Sequence, residues 1–150
     1  MANAKLGGKA SYEGGAFLEK LDSDRTLTLG DSGKLFIIAN TGAISIILPD
    51  ISTMSAVEKD SAIGWNCQFI VQSISGGTAT VGCSSGDGNL MWGNMVGSDG
   101  SSSNTGLDAA ADDISITTNC VAGDTVKVLY DGTYYYAHGQ QADNDHITIG

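Results

Sequence analysis

The stretch Leu35 to Leu48, LFIIANTGAISIIL, confines this chain to few folds. Two short apolar runs flank Asn40-Thr41-Gly42, and runs of this length bounded by turn-forming residues read as strands. The spacing predicts a β-hairpin in a packed core. A second unit, Thr125 to Ala137 (TVKVLYDGTYYYA), sets Asp131-Gly132 between alternating apolar residues. This is a strong hairpin signal, because a primed turn needs positive φ. A third hairpin is expected where Cys67 to Ile74 (CQFIVQSI) turns through Gly76-Gly77 into Thr78 to Cys83.

The remaining segments fill in an all-β chain. Leu35, Ile37 and Ala39 alternate with Phe36 and Ile38, so both faces of that strand are apolar and it belongs in the centre of a layered core. Ser55-Ala56-Val57-Glu58 is a capping-box pattern, which predicts one helix of two or three turns at most. Residues 84 to 111 read as a long polar loop carrying one short strand at an apolar island, Leu90 to Val96. Ile114 and Ile116 mark another strand, and His146 to Ile149 a last one, open to donation to a neighbour. About nine strands in antiparallel connection fit a jelly-roll-like sandwich or small barrel. Phe36, Ile38, Ile46, Leu48, Phe69, Val71, Ile116, Val126 and Val128 are the expected core. Residues 1 to 24 have scattered apolar groups at no clean period, so they read as an extended arm that needs another surface to order it. Residues 25 to 150 read as a single β-domain.

Charge narrows the function classes. Residues 1 to 34 balance five cations against five anions, whereas the rest hold only Lys59 and Lys127 against twelve carboxylates, within a net charge of -10. An acidic body repels phosphate backbones, so direct nucleic-acid binding is not expected. No apolar run approaches the length of a membrane span, and no signal-peptide pattern opens the chain. Cys67, Cys83 and Cys120 fit free thiols of a reducing cytoplasm, with a Cys83 to Cys120 bridge as the alternative.

Catalytic chemistry is hard to assemble from this sequence. His138 and His146 are the only neutral-pH base candidates, and neither stands at a recognised spacing from a nucleophile. Asp87-Gly88-Asn89, Asp112-Asp113 and Asp143-Asn144-Asp145 supply hard oxygen atoms, but none completes an EF-hand loop. They read as turn and solvation residues, so no metal and no cofactor is expected. A glycan-active enzyme would need paired carboxylates, and Asp112 or Asp113 with Asp145 is the pair the sequence offers. Tyr134 and Tyr136 share one face of a strand and Tyr135 the other, which allows either core packing or a sugar-stacking platform. Trp92, in polar surroundings, must pack on its own fold or on another subunit.

The run LTLGDSGKLFIIANTGAISIILP, then CQFIVQS, then VAGDTVKVLYDGTYYYAHG and a closing ITIG together resemble small tailed-phage virion proteins of the capsid decoration, or cement, class. The resemblance covers most of residues 26 to 150 and rests on turns and core strands. It implies a non-enzymatic structural protein on the outer capsid surface of the virion, assembled in the host cytoplasm. Its partners would be the major capsid protein and further copies of itself, as a trimer. The expected capsid-contact arm comprises Lys5, Leu6, Lys9, Tyr12, Phe17, Leu18 and Lys20. Leu90, Met91, Trp92, Met95, Val96, Ile147 and Ile149 are the expected subunit contacts. The rival reading is a phage tail, fibre or receptor-binding domain that binds host glycan.

Overall fold

Successive strands pass back and forth between two sheets. The computed structural model describes residues 17–84, 90–98 and 108–150. In chain order its elements are β1 (Leu18–Leu21), β2 (Arg25–Thr26), a 3-10 turn (Leu29–Asp31), β3 (Lys34–Asn40), β4 (Ile44–Ile47), α1 (Ala56–Ala62), β5 (Asn66–Ile74), β6 (Ala79–Gly82), β7 (Met91–Gly97), β8 (Asp108–Ala111), β9 (Asp113–Ile116), β10 (Thr125–Tyr130), β11 (Tyr135–Gln141) and β12 (Ile147–Ile149). The larger sheet runs β1-β3-β5-β10-β11-β7-β8, and the smaller runs β12-β9-β6-β4-β2. The chain is all-β with two sheets and one short helix.

Two of the three expected hairpins are corrected. β3 and β4 lie in different sheets, as do β5 and β6, so each pair is an arch that crosses from one sheet to the other. The arches stack instead. β1, β3 and β5 pair in parallel, and so do β2, β4 and β6. The connection is therefore mixed, not wholly antiparallel, and there are twelve strands among the described residues where about nine were expected. At the β3–β4 turn the backbone differs from that of a hairpin. A three-residue hairpin loop of the common type ends in a left-handed residue, and Gly42 does not have positive φ. Gly132 does, at 106°, and β10–β11 is a true antiparallel hairpin.

The arches bear directly on one another. Asn40 Nδ2 donates to the carbonyls of Gly42 (2.6 Å) and Gly77 (2.9 Å), tying the second arch to the third. Ile44 N donates to Thr78 O and Ser75 N to Asn40 O. Asp24 accepts from Ser45 N at 2.8 Å, which seats the first arch on the second. The DSGK motif closes the stack at one end: Asp31, buried, takes Lys34 Nζ at 2.7 Å and the Thr28 amide at 2.8 Å, while Glu19 and Arg25 complete an ion-pair network. Gly33, at φ 80°, makes the turn between the two charged residues.

All nine expected core residues are buried between the sheets. Phe36 and Phe69, neighbours on β3 and β5, stack at 5.5 Å. Trp65 meets Tyr135 edge-on at 6.0 Å and donates its Nε1–H to Thr28 O, while Tyr135 Oη donates to Pro49 O at 2.7 Å. Helix α1 carries the expected capping box: the Ser55 hydroxyl accepts from Glu58 N, and the Glu58 carboxylate accepts from Ser55 N at 2.8 Å. Leu18 to Leu21, read from sequence as part of the arm, is an edge strand of the larger sheet, paired with Leu35 to Ile38. Its backbone finds that partner because the strand needs no apolar period of its own to hydrogen-bond an open edge.

Candidate functional site

The larger sheet has one face in the core and the other turned outward. Its outward rows are set by the register. Leu129 on β10, Tyr136 on β11 and Trp92 on β7 stand side by side, as do Ile37, Ile70, Thr125, Gln140 and Val96, and between these rows run Leu35, Gln68, Lys127, His138 and Asn94. Their alternates, Phe36, Phe69, Val126, Gly139 and Met95, point into the core. Period-2 alternation on each strand thus builds one broad, mixed apolar and polar surface.

Aromatic residues gather at one end of this face. Trp92 meets Tyr134 edge-on at 5.8 Å, so the indole packs on its own fold and remains half-exposed. Tyr135 is buried, and Tyr136 is exposed beside Trp92. The Asp131 carboxylate accepts the amides of Thr133 (2.7 Å) and Tyr134 (2.8 Å), closing the hairpin turn. Burial works to raise the Asp131 pKa, but these bonds and one from Tyr136 outweigh it and hold it below the usual range. The same carboxylate, as hydrogen-bond acceptor, raises the Tyr136 hydroxyl. At neutral pH the rim therefore presents the Asp131 carboxylate hydrogen-bonded to the neutral Tyr136 phenol.

The expected contact residues divide. Val96 is exposed on the outer face, while Leu90 and Ile149 are half-buried against the core. Met91, Met95 and Ile147 are corrected: all three are buried in the chain's own core and have no surface to offer a neighbour. β12 is not donated either, since it pairs with β9 of the same chain. In the arm, Lys5, Leu6, Lys9 and Tyr12 lie outside the described residues. Phe17 and Leu18 are exposed, as is Lys20, whose side chain belongs to the outer face.

The chemistry-bearing residues are dispersed. Asp112 and Asp113 sit at the start of β9, whereas the Asp145 carbonyl takes a bond from Thr117 Oγ1 past its other end, about 13 Å away at strand rise. The carboxylate pair of a glycosidase is therefore not formed there. Burial, then the neighbouring Asp112, raises the Asp113 pKa. His138 is exposed and contacts Asn94 Oδ1. His146 is buried, its Nδ1 at 2.7 Å from Asp124, whose carboxylate also accepts from Val121 N and Ala142 N. Asp143, Asp145 and His146 each place one ligand atom within 4.8 Å of the others, but Asp145 is engaged by Asn119 and His146 by Asp124. Asp87-Gly88-Asn89 lies outside the described residues.

The three cysteines are free thiols. Burial, then Asp124, pushes Cys120 up to about 12, and Cys67 is raised further by burial. Among the described residues no helix is long and apolar enough to cross a membrane. No family model, curated protein or solved structure matches the chain.

Proposed function

We propose that this chain is a structural protein of a tailed-phage virion that decorates the outer capsid and cements it by bridging capsomers, as a trimer. The observation that carries this reading is where the chain enters its fold. The sixteen residues before Phe17 join the body at β1, the free edge of the larger sheet, and Phe17 and Leu18 stand exposed there. Exposed apolar side chains at an open sheet edge support a contact with a neighbouring surface there. The resemblance of the DSGK, GD and DG segments to cement proteins supports the same reading.

The mechanism is binding energy alone. An arm that orders on the shell costs about 1–2 kcal/mol of backbone entropy per residue, so it orders only where apolar pockets and backbone partners are supplied. Linked copies raise the effective concentration of the second and third arms once the first is seated. Opening the shell then requires breaking these contacts as well. The test is deletion of residues 2–16, which spares β1. The shortened chain should fold but wash off capsids and leave them less heat-resistant. Decoration equal to that of the full chain would overturn the reading.

A second reading has its own observation. Trp92, Tyr134 and Tyr136, with Asn94 and His138 beside them, form an aromatic surface edged by hydrogen-bonding groups, as a glycan-binding fibre or receptor-binding domain would use. Glycan-array binding by the purified chain, abolished by Trp92→Ala, would favour it over the capsid reading.

A further inference from the structure

The two histidines of this chain differ in their surroundings. His138 is exposed, whereas the side chain of His146 is only 9% exposed. His146 stands in the loop that leads from β11 in the larger sheet to β12 in the smaller. Its Nδ1 lies 2.7 Å from Asp124 Oδ2, and that carboxylate is fixed in turn by the amides of Val121 (3.0 Å) and Ala142 (2.8 Å). An ionised carboxylate only accepts, so Nδ1 carries the proton and the neutral ring keeps its lone pair on Nε2. Among the described residues Nε2 makes no hydrogen bond. A side chain nine-tenths buried, with a lone pair and no partner for it, calls for a ligand.

Two carboxylates stand beside that ring. Asp143, Asp145 and His146 each bring one ligand atom to within 4.8 Å of the others. Both carboxylates keep an oxygen in reserve, because Asn144 N donates to Asp143 Oδ1 and Asn119 Nδ2 to Asp145 Oδ2. Two ligands on opposite sides of a zinc ion stand about 4.2 Å apart. Both aspartates are exposed, so small side-chain rotations complete the set. The backbone of the loop is held in place: Thr117 Oγ1 donates to the Asp145 carbonyl, and Thr117 N and Cys120 Sγ donate to the His146 carbonyl.

We infer that Asp143, Asp145 and His146 bind one divalent transition-metal ion, zinc or manganese, with Nε2 of His146 as the anchoring ligand and Asp124 as the group that orients it. A carboxylate behind a ligating imidazole fixes the tautomer and angle of the ring and raises its basicity. Ligand chemistry selects the ion. One imidazole with two carboxylates suits zinc or manganese, whereas calcium takes oxygen throughout and the softer ions want thiolate. Charge agrees, since two carboxylates and a neutral ring offset a doubly charged ion, and a net charge of -10 draws cations to the chain. The acids at 143 and 145 alone read as a turn; the histidine buried beside them makes the group a metal site. A bound ion ties the β11–β12 loop, and β12 after it, more firmly to the body. The inference is independent of the proposed function.

The experiment is calorimetric titration of the purified full chain, stripped with EDTA and dialysed, with zinc, manganese or calcium chloride. One zinc or manganese ion per chain is expected, bound about tenfold or more tightly than calcium. Asp143→Asn and Asp145→Asn should each weaken binding by about tenfold or more. Asp22→Asn, which removes an exposed carboxylate elsewhere, should bind as the native chain does. These variants change exposed side chains, and thermal melts confirm that they fold. Saturating zinc should raise the native melting temperature by several degrees and that of the Asp143 and Asp145 variants by less. Nitrogen-15 spectra of the two imidazoles, assigned with His138→Gln, should show zinc moving the Nε2 resonance of His146. No saturable binding below millimolar metal would overturn the inference. So would undiminished binding in both aspartate variants, calcium bound as tightly as zinc, or an unmoved His146 resonance.

Discussion

Asp31 stays charged in a buried position because four donors converge on it: Lys34 Nζ, the Thr28 amide and hydroxyl, and the more distant Arg25 guanidinium. Burial works to raise its pKa, but the bonds from Lys34 and Thr28 outweigh this and hold it below its ordinary 3.8. A carboxyl with a lowered folded pKa stabilises the fold fully above its unfolded value, and that contribution disappears as pH falls through the folded value. Asp31→Asn should therefore cost about 1–3 kcal/mol at pH 7, and the difference from the native chain should shrink below pH 4 or so. Urea unfolding at a series of pH values measures both. In the core, Phe36→Ala removes one ring of the Phe36–Phe69 stack at a site with no exposure. The expected loss is about 3–5 kcal/mol, and a loss below 1 kcal/mol would mean that the sheets close over the gap.

At the scale of elements, the arches mark what the sequence discloses and what it hides. Strand positions, the capping box at Ser55, the Asp131-Gly132 hairpin and the core residues follow from periodicity and local turn chemistry, and each is legible within about ten residues. Which strand pairs with which is not local. Asn40-Thr41-Gly42 punctuates an arch and a hairpin alike, and the difference lies in a backbone angle at Gly42 and in the Asn40 amide reaching Gly77, 37 positions away. The same limit applies to the candidate face. Trp92 and the Tyr strand stand out in one dimension, but the outward rows exist only once β3, β5, β10, β11 and β7 are brought side by side. Met91 and Met95 misled for a related reason: a seven-residue strand amid polar sequence resembles an exposed island until its parallel pairing with β11 places alternate residues inside. Gly77 offers a test of the arches. A Cβ there would collide with the Ala43 backbone of the arch below, which cannot yield as a flexible side chain can. Gly77→Ala should cost on the order of 2 kcal/mol or more through strain, whereas Gly42→Ala, which meets nothing nearby, should cost far less. Equal effects of the two substitutions would argue that the arches are not in contact.

For the whole molecule, salt acts on the fold through both net repulsion and ion pairing. A net charge of -10 destabilises the compact state by self-repulsion, and Asp112 beside Asp113 is one visible instance, with Asp113 raised by burial and then by its neighbour. The Glu19–Arg25–Asp31–Lys34 network is weakened by salt, but Asp31 is buried and Lys34 largely so, and such pairs are screened less than exposed charges. Screening should therefore relieve more repulsion than it removes attraction. The melting temperature of the chain should rise by several degrees between low salt and physiological ionic strength, since about 1 kcal/mol moves the midpoint of a domain this size by roughly 4 °C. A melting temperature that falls with salt would mean that the ion-pair network, not net repulsion, governs the stability of this fold.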